Sequence, residues 1–115
     1  MKKSTVLLLV IVLLFVGCST AFARSAEDDY EKAQELLVQE KYADAAKAFL
    51  ALGSYADAPR YNMYCNAILN GNQGNYLEAV QNLTSLDDFL DSSLLSVYYT
   101  ALSLEASENY EDAAK

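Results

Sequence analysis

The sequence predicts an all-α fold, a solenoid of about two and a half helix-turn-helix repeats with a period of 34. Three observations predict it. Sliding the chain against itself by 34 places Tyr30, Tyr64 and Tyr98 in one column and Ala33, Ala67 and Ala101 in another, without a gap from Ser25 to Lys115. Further columns hold Tyr42, Tyr76 and Tyr110, then Ala45, Ala79 and Ala113. A fixed period of this size marks a stacked array, in which each unit buries its apolar face against a neighbour. Between the columns, apolar residues recur at helical spacing, as in Tyr42, Ala45, Ala46, Phe49 and Leu50 and again in Tyr76, Ala79, Val80 and Leu83. Finally, the same kinds of turn residue fall at the same points of each period.

Residues 1–23 precede the array. Lys2 and Lys3, an unbroken apolar run from Val6 to Val16 and the small residues ending at Ala23 have the grammar of a secretory signal, with cleavage after Ala23. The run is short for a membrane span. Two alternatives stay open in the same stretch. Phe15-Val16-Gly17-Cys18 is similar to a bacterial lipobox, which would put a lipid on Cys18, and an uncleaved segment would act as an anchor. All three place the folded part outside the cytoplasm: exported and extracellular, periplasmic or membrane-anchored facing outside. Contact with membrane is expected only through such an N-terminal lipid or anchor.

The repeats then run 25–58, 59–92 and, incomplete, 93–115. Each opens with a leading helix, near Ser25 to Val38, Ala58 to Asn70 and Ser92 to Leu104. Asp57 and Asp91 stand where N-caps are expected, and Pro59 suits a first helical turn because its missing N–H is not needed there. Gly71-Asn72-Gln73-Gly74 closes the middle leading helix. The trailing helices begin at Tyr42, Tyr76 and Tyr110. In Asn75-Tyr-Leu-Glu78 and Asn109-Tyr-Glu-Asp112 an Asn precedes an acid three residues on, a capping-box arrangement that Lys41 lacks. Gly53-Ser54 and Asp87-Asp88 end the first two trailing helices, with Tyr55 or Phe89 tucked under the turn. The string YADA, at 42–45 and again at 55–58, therefore does two jobs, opening a trailing helix and punctuating two repeats.

Composition bounds the function. A chain of 115 residues holds one small domain. Its net charge of −8 becomes −10 once Lys2 and Lys3 are removed, which repels nucleic acid and anionic lipid and leaves basic, neutral or cation-bridged partners. There is no histidine, so His-based triads, His acid/base work and His-bearing zinc sites are excluded. Cys65 is the one cysteine of the mature globular part and reads as a small buried residue. Asp87, Asp88 and Asp91 lack the alternating spacing and glycine of a calcium loop and read as turn and cap residues. No cofactor or metal is expected, and no nucleophile–base pair is recognisable. An enzyme is not expected.

A 34-residue helix-turn-helix unit, with Ala in the middle of the leading helix, Tyr opening the trailing helix and Ala three residues later, resembles the tetratricopeptide repeat. The resemblance covers Ser25 to Lys115. It is closest to a variant common in exported bacterial proteins, in which an aromatic-x-Asp-Ser/Ala turn such as Tyr55-Ala-Asp57-Ala58 replaces the usual proline. The family's leading-helix Trp is missing, with Asp29, Met63 and Val97 in its place. The resemblance implies a right-handed stack whose concave face binds an extended peptide or a partner helix. Carried over by position, that face receives Tyr61 and Leu95, then Tyr30, Tyr64 and Tyr98, then Gln34, Ile68 and Leu102, and beyond them Leu37, Gly71 and Glu105. The Lys/Asn clamp of members that grip a peptide's carboxylate has no counterpart, so such tails are not expected ligands.

Two placements of the tyrosine ladder stay open. In the groove it would bind a partner or, as an alternative, cell-wall glycan. Packed between leading helices it would be core, since Tyr64 shares a helical face with Ile68 and Tyr98 one with Leu102. Lys115 aligns with Lys47, partway along a trailing helix, so the expectation is either a longer array or an open end covered by a partner or a second copy. The function expected on these grounds is a non-catalytic protein-binding scaffold of the bacterial cell envelope, of unknown partner.

Overall fold

A computed structural model describes residues 25–114, with side chains described as far as Glu108. The segment before Ser25, with the Ala23 cleavage point and Cys18, lies outside the described residues, as do the side chain of Tyr110 and Lys115. The described chain is all helix and turn. Residues 25–38 form α1. After it come α2 (Tyr42–Ala51), α3 (Ala58–Asn72), α4 (Tyr76–Ser85) and α5 (Ser92–Ala114). Consecutive helices pack on one another, α2 on α3, α3 on α4 and α4 on α5. Among the described residues no helix is long and apolar enough to cross a membrane.

Small residues at the crossings let the helices come close. Ala33 of α1, Ala45, Ala46 and Phe49 of α2 and Ala58 and Cys65 of α3 make one buried cluster. Tyr64, Ala67 and Ile68 of α3, Ala79 and Leu83 of α4 and Tyr99 of α5 make the next. Burial of alanine methyls and a few large side chains, at about 25 cal/mol per Å² of apolar surface, is what these short helices have in place of intrinsic helical stability.

The turns set the period in the backbone. Among the described residues, left-handed backbone occurs at Glu40 and Gly74, at Gly53 and Asp87, and at Ala56 and Leu90. The members of each pair lie one full period apart. Left-handed conformation costs a non-glycine residue about 1–2 kcal/mol, so Glu40, Ala56, Asp87 and Leu90 hold it only because the helices on either side fix the turn. The helix starts follow the same spacing, Tyr42 with Tyr76 and Ala58 with Ser92.

Two expectations are corrected. Asn75 and Asp57 precede α4 and α3, yet neither side chain caps its helix, and Lys41 does not cap α2. Asn75 has ψ 62° and Asp57 ψ 17°, short of the extended backbone from which a capping side chain reaches the first N–H groups. The tight turns satisfy backbone groups instead, as in Asn75 N–H to the Asn70 carbonyl at 2.8 Å and Lys41 N–H to the Leu36 carbonyl at 2.9 Å. The second correction concerns the end of the third leading helix. No turn forms after Leu104, and α5 continues unbroken from Ser92 to Ala114, through Asn109 and Tyr110. In the earlier repeats α2 is held by α1 and α3, and α4 by α3 and α5. Glu105-Ala-Ser-Glu108 keeps the helical conformation, which Glu, Ala and Ser adopt at little cost.

Candidate functional site

The aromatic side chains form a chain of contacts across both turns. Tyr30 meets Phe49, Tyr55 and Tyr61 edge-on with centroids 6.0, 5.6 and 6.0 Å away. Phe49 stacks on Tyr61 at 4.7 Å, and Phe89 stands edge-on to both Tyr61 at 4.9 Å and Tyr64 at 6.4 Å. Such pairs are each worth about 0.5–1.5 kcal/mol beyond the area they bury. The turn aromatics thus join the leading helices, as their place under the turn requires.

The residues expected on one binding face do not share it. Tyr64 and Ile68 are buried, Tyr30, Tyr61, Leu95 and Leu102 are half-buried, and Tyr98 is exposed. The Tyr61 hydroxyl accepts from Gln34 Nε2 at 3.2 Å. Tyr99, one residue beyond the aligned Tyr98, takes the buried place on α3, and a Cβ added to Gly71 would lie 2.3 Å from its ring. Tyr30, Tyr64 and Tyr98 therefore line no common surface: Phe89 stands against Tyr64, and Tyr98 points out of the second cluster.

An open cleft does form over Tyr64. Leu37 and Val38 from the end of α1, Glu40 from the α1–α2 turn, Tyr42 at the start of α2, and Leu90 and Asp91 from the α4–α5 turn surround it, around a space of about 420 Å³. Val38 is 83% exposed and Leu90 50% exposed, so apolar surface is presented to solvent on the rim. The Tyr64 hydroxyl donates to Asp91 Oδ1 across the floor. Burial first, and then this bond to a carboxylate, push the Tyr64 hydroxyl well above the usual tyrosine range. The Tyr42 hydroxyl is raised by burial and by Glu40 and Asp91. Both stay neutral donors at physiological pH. The rim offers two carboxylates and aliphatic surface, an arrangement that accepts an apolar side chain beside a cation and repels an anion.

Of the cleft residues, Leu37 and Tyr64 were legible as groove positions. Val38, Glu40, Tyr42, Leu90 and Asp91 were not. The signal that finds Leu90 is a bulky apolar residue in the column that holds Ala56, at a turn where a side chain is strained. Cys65 lies beneath this region, fully buried, its thiol pushed up to about 11 by burial. That makes it inert. Among the described residues, no three Cys, Asp or Glu side chains gather as a metal site.

Comparison with known proteins adds no relative: no family model matches the chain, and neither the curated proteins nor the solved structures contain a match to it.

Proposed function

We propose that the chain is a tetratricopeptide-like solenoid serving as a non-catalytic protein-binding scaffold of the bacterial cell envelope. Its cleft over Tyr64 takes an extended segment or helix bearing an apolar side chain next to lysine or arginine. The observation that carries this reading is the rim itself. Glu40 and Leu90, from turns 50 positions apart in the chain, both hold left-handed backbone, φ 61° and 51°, and both line the cleft. The turn itself sets that backbone, as it does at Ala56 one period earlier, and Leu90 adds to it a large apolar side chain that is half exposed on the rim. The recurrence of helix starts and left-handed residues every 34 positions supports the solenoid, and the secretory grammar of residues 1–23 supports the envelope.

The test uses the full chain and two labelled peptides, one alternating leucine with lysine and arginine, the other leucine with glutamate, read by fluorescence anisotropy. The basic peptide binds, less tightly as salt rises, and the acidic one does not. Leu90→Asn removes the apolar side chain while placing in this left-handed turn a residue that tolerates it. It weakens binding at least tenfold and leaves the melting temperature equal or higher. Unchanged affinity in Leu90→Asn, or equal binding of the acidic peptide, refutes the cleft.

A further inference from the structure

A second surface, separate from the cleft, lies along α5. Its inward side carries Ser92, Leu95, Tyr99 and Leu102, which are buried or half-buried against α3 and α4. Its outward side carries Leu94, Val97, Tyr98, Ala101 and Leu104. Leu94, Val97 and Leu104 are 70, 69 and 62% exposed, and nothing among the described residues covers them. The intervals 94, 97, 101 and 104 alternate three and four, which is the seam of paired helices.

We infer that α5 pairs antiparallel with α5 of a second copy, about a two-fold axis at Ala101. Charge along the helix admits a second copy in this direction. From Ser92 to Leu104 α5 carries no charged residue, and from Glu105 onward its charged residues are all acidic. A parallel pair sets each acid beside its mate. An antiparallel pair sets the acidic half of each helix beside the uncharged half of the other. Set against α1 of a second copy, α5 would bring its acidic end to exposed Glu27, Asp28, Glu31 and Glu35, which outnumber the exposed Lys32 beside them, and that pairing is disfavoured.

The register follows from size. Ala101 stands one period after Ala67, which is fully buried in one cluster with Ala79 where α3 crosses α4. The same small residue on the outward side of α5 lets two helices approach at the axis. Around it Tyr98 of each copy faces Leu104 of the other, and Leu94 and Val97 lie along the aliphatic stems of Glu108 and Glu105, whose carboxylates reach solvent. Such a dyad is self-complementary, as a two-fold interface must be.

The test compares full chains. Ala101→Cys forms a disulfide between copies under mild oxidation well above the parent background, because residue 101 meets its own mate at the axis. Leu94→Cys alone does not, since its mate lies about 21 Å away along the helices at 1.5 Å per residue. The double variant Leu94→Cys, Glu108→Cys does. Light scattering shows a concentration-dependent dimer that Val97→Asp, a change at an exposed site, weakens at least tenfold with unchanged circular dichroism. A parent that stays monomeric at every concentration, a dimer indifferent to Val97→Asp, or cross-linking through Leu94→Cys as strong as through Ala101→Cys overturns the proposal.

Discussion

The junction that seats α3 on α1 and α2 and the one that seats α5 on α3 and α4 share a backbone plan but not their side chains. Where the first has Cys65 and Leu37, the second has Tyr99 and Gly71. Where the first buries Ala58, the second buries Ser92. A large ring has entered on one side and a side chain has vanished on the other, so the helices keep their places. The difference teaches that the period resides in turns and helix starts, while each junction fills its own volume by compensation across the interface.

Breaking that compensation has the largest expected effect. Alanine in place of a helical glycine ordinarily gains about 1 kcal/mol. At Gly71 the sign reverses, because the new Cβ would lie 2.3 Å from ring atoms of Tyr99, and overpacking costs about 1–3 kcal/mol. Urea denaturation of Gly71→Ala should show that loss. Adding Tyr99→Leu, which withdraws the ring, should recover part of it, and independent, additive effects would show that the two residues do not compensate.

Next in size is the bond from Tyr64 to Asp91. A hydrogen bond to a charged group contributes about 1.5–3 kcal/mol, and with Asp91 at the surface the low end applies. In the first repeat the hydroxyl of Tyr30 lies near the Asp57 backbone and the Tyr61 hydroxyl, with no carboxylate bond. Tyr64→Phe should therefore cost about 1.5 kcal/mol and Tyr30→Phe about half as much or less. Equal losses would mean that both turns are held alike.

The smallest change is a gain. Ser92 is fully buried and its Oγ has no hydrogen-bond partner, a position where the first junction has Ala58. Removing an orphaned hydroxyl returns its desolvation cost, so Ser92→Ala should raise stability by about 1 kcal/mol. Thermal melts that show a loss instead would mean that the hydroxyl is satisfied in solution.

The helical fold was legible because its signals are local and repeated: the tyrosine and alanine columns, Pro59 and the turn residues set the starts of α2, α3, α4 and α5. The length of α5 was not legible. Glutamate is compatible with both outcomes, since Glu40 holds left-handed backbone in a turn while Glu108, two periods later, continues a helix. The caps misled because Asn75 and Asp57 have the right side chains on the wrong backbone. Alignment by period set Tyr98 in the column of Tyr64, and the buried place went to its neighbour, which no periodicity separates. The cleft was the least legible part, since Val38 and Leu90 come together from distant turns and only the fold makes them neighbours.

The contacts running from Tyr30 through Phe49, Tyr61 and Phe89 to Tyr64 give the protein a built-in optical probe. With nine tyrosines and no tryptophan, its near-ultraviolet absorption is almost wholly phenolic. Rings fixed edge-on or stacked within about 7 Å couple their transitions, whereas the same rings on separated helices do not. Far-ultraviolet dichroism reports the helices and the phenolic band reports the seating of one repeat on the next, so the two signals, followed together during unfolding, time the loss of each.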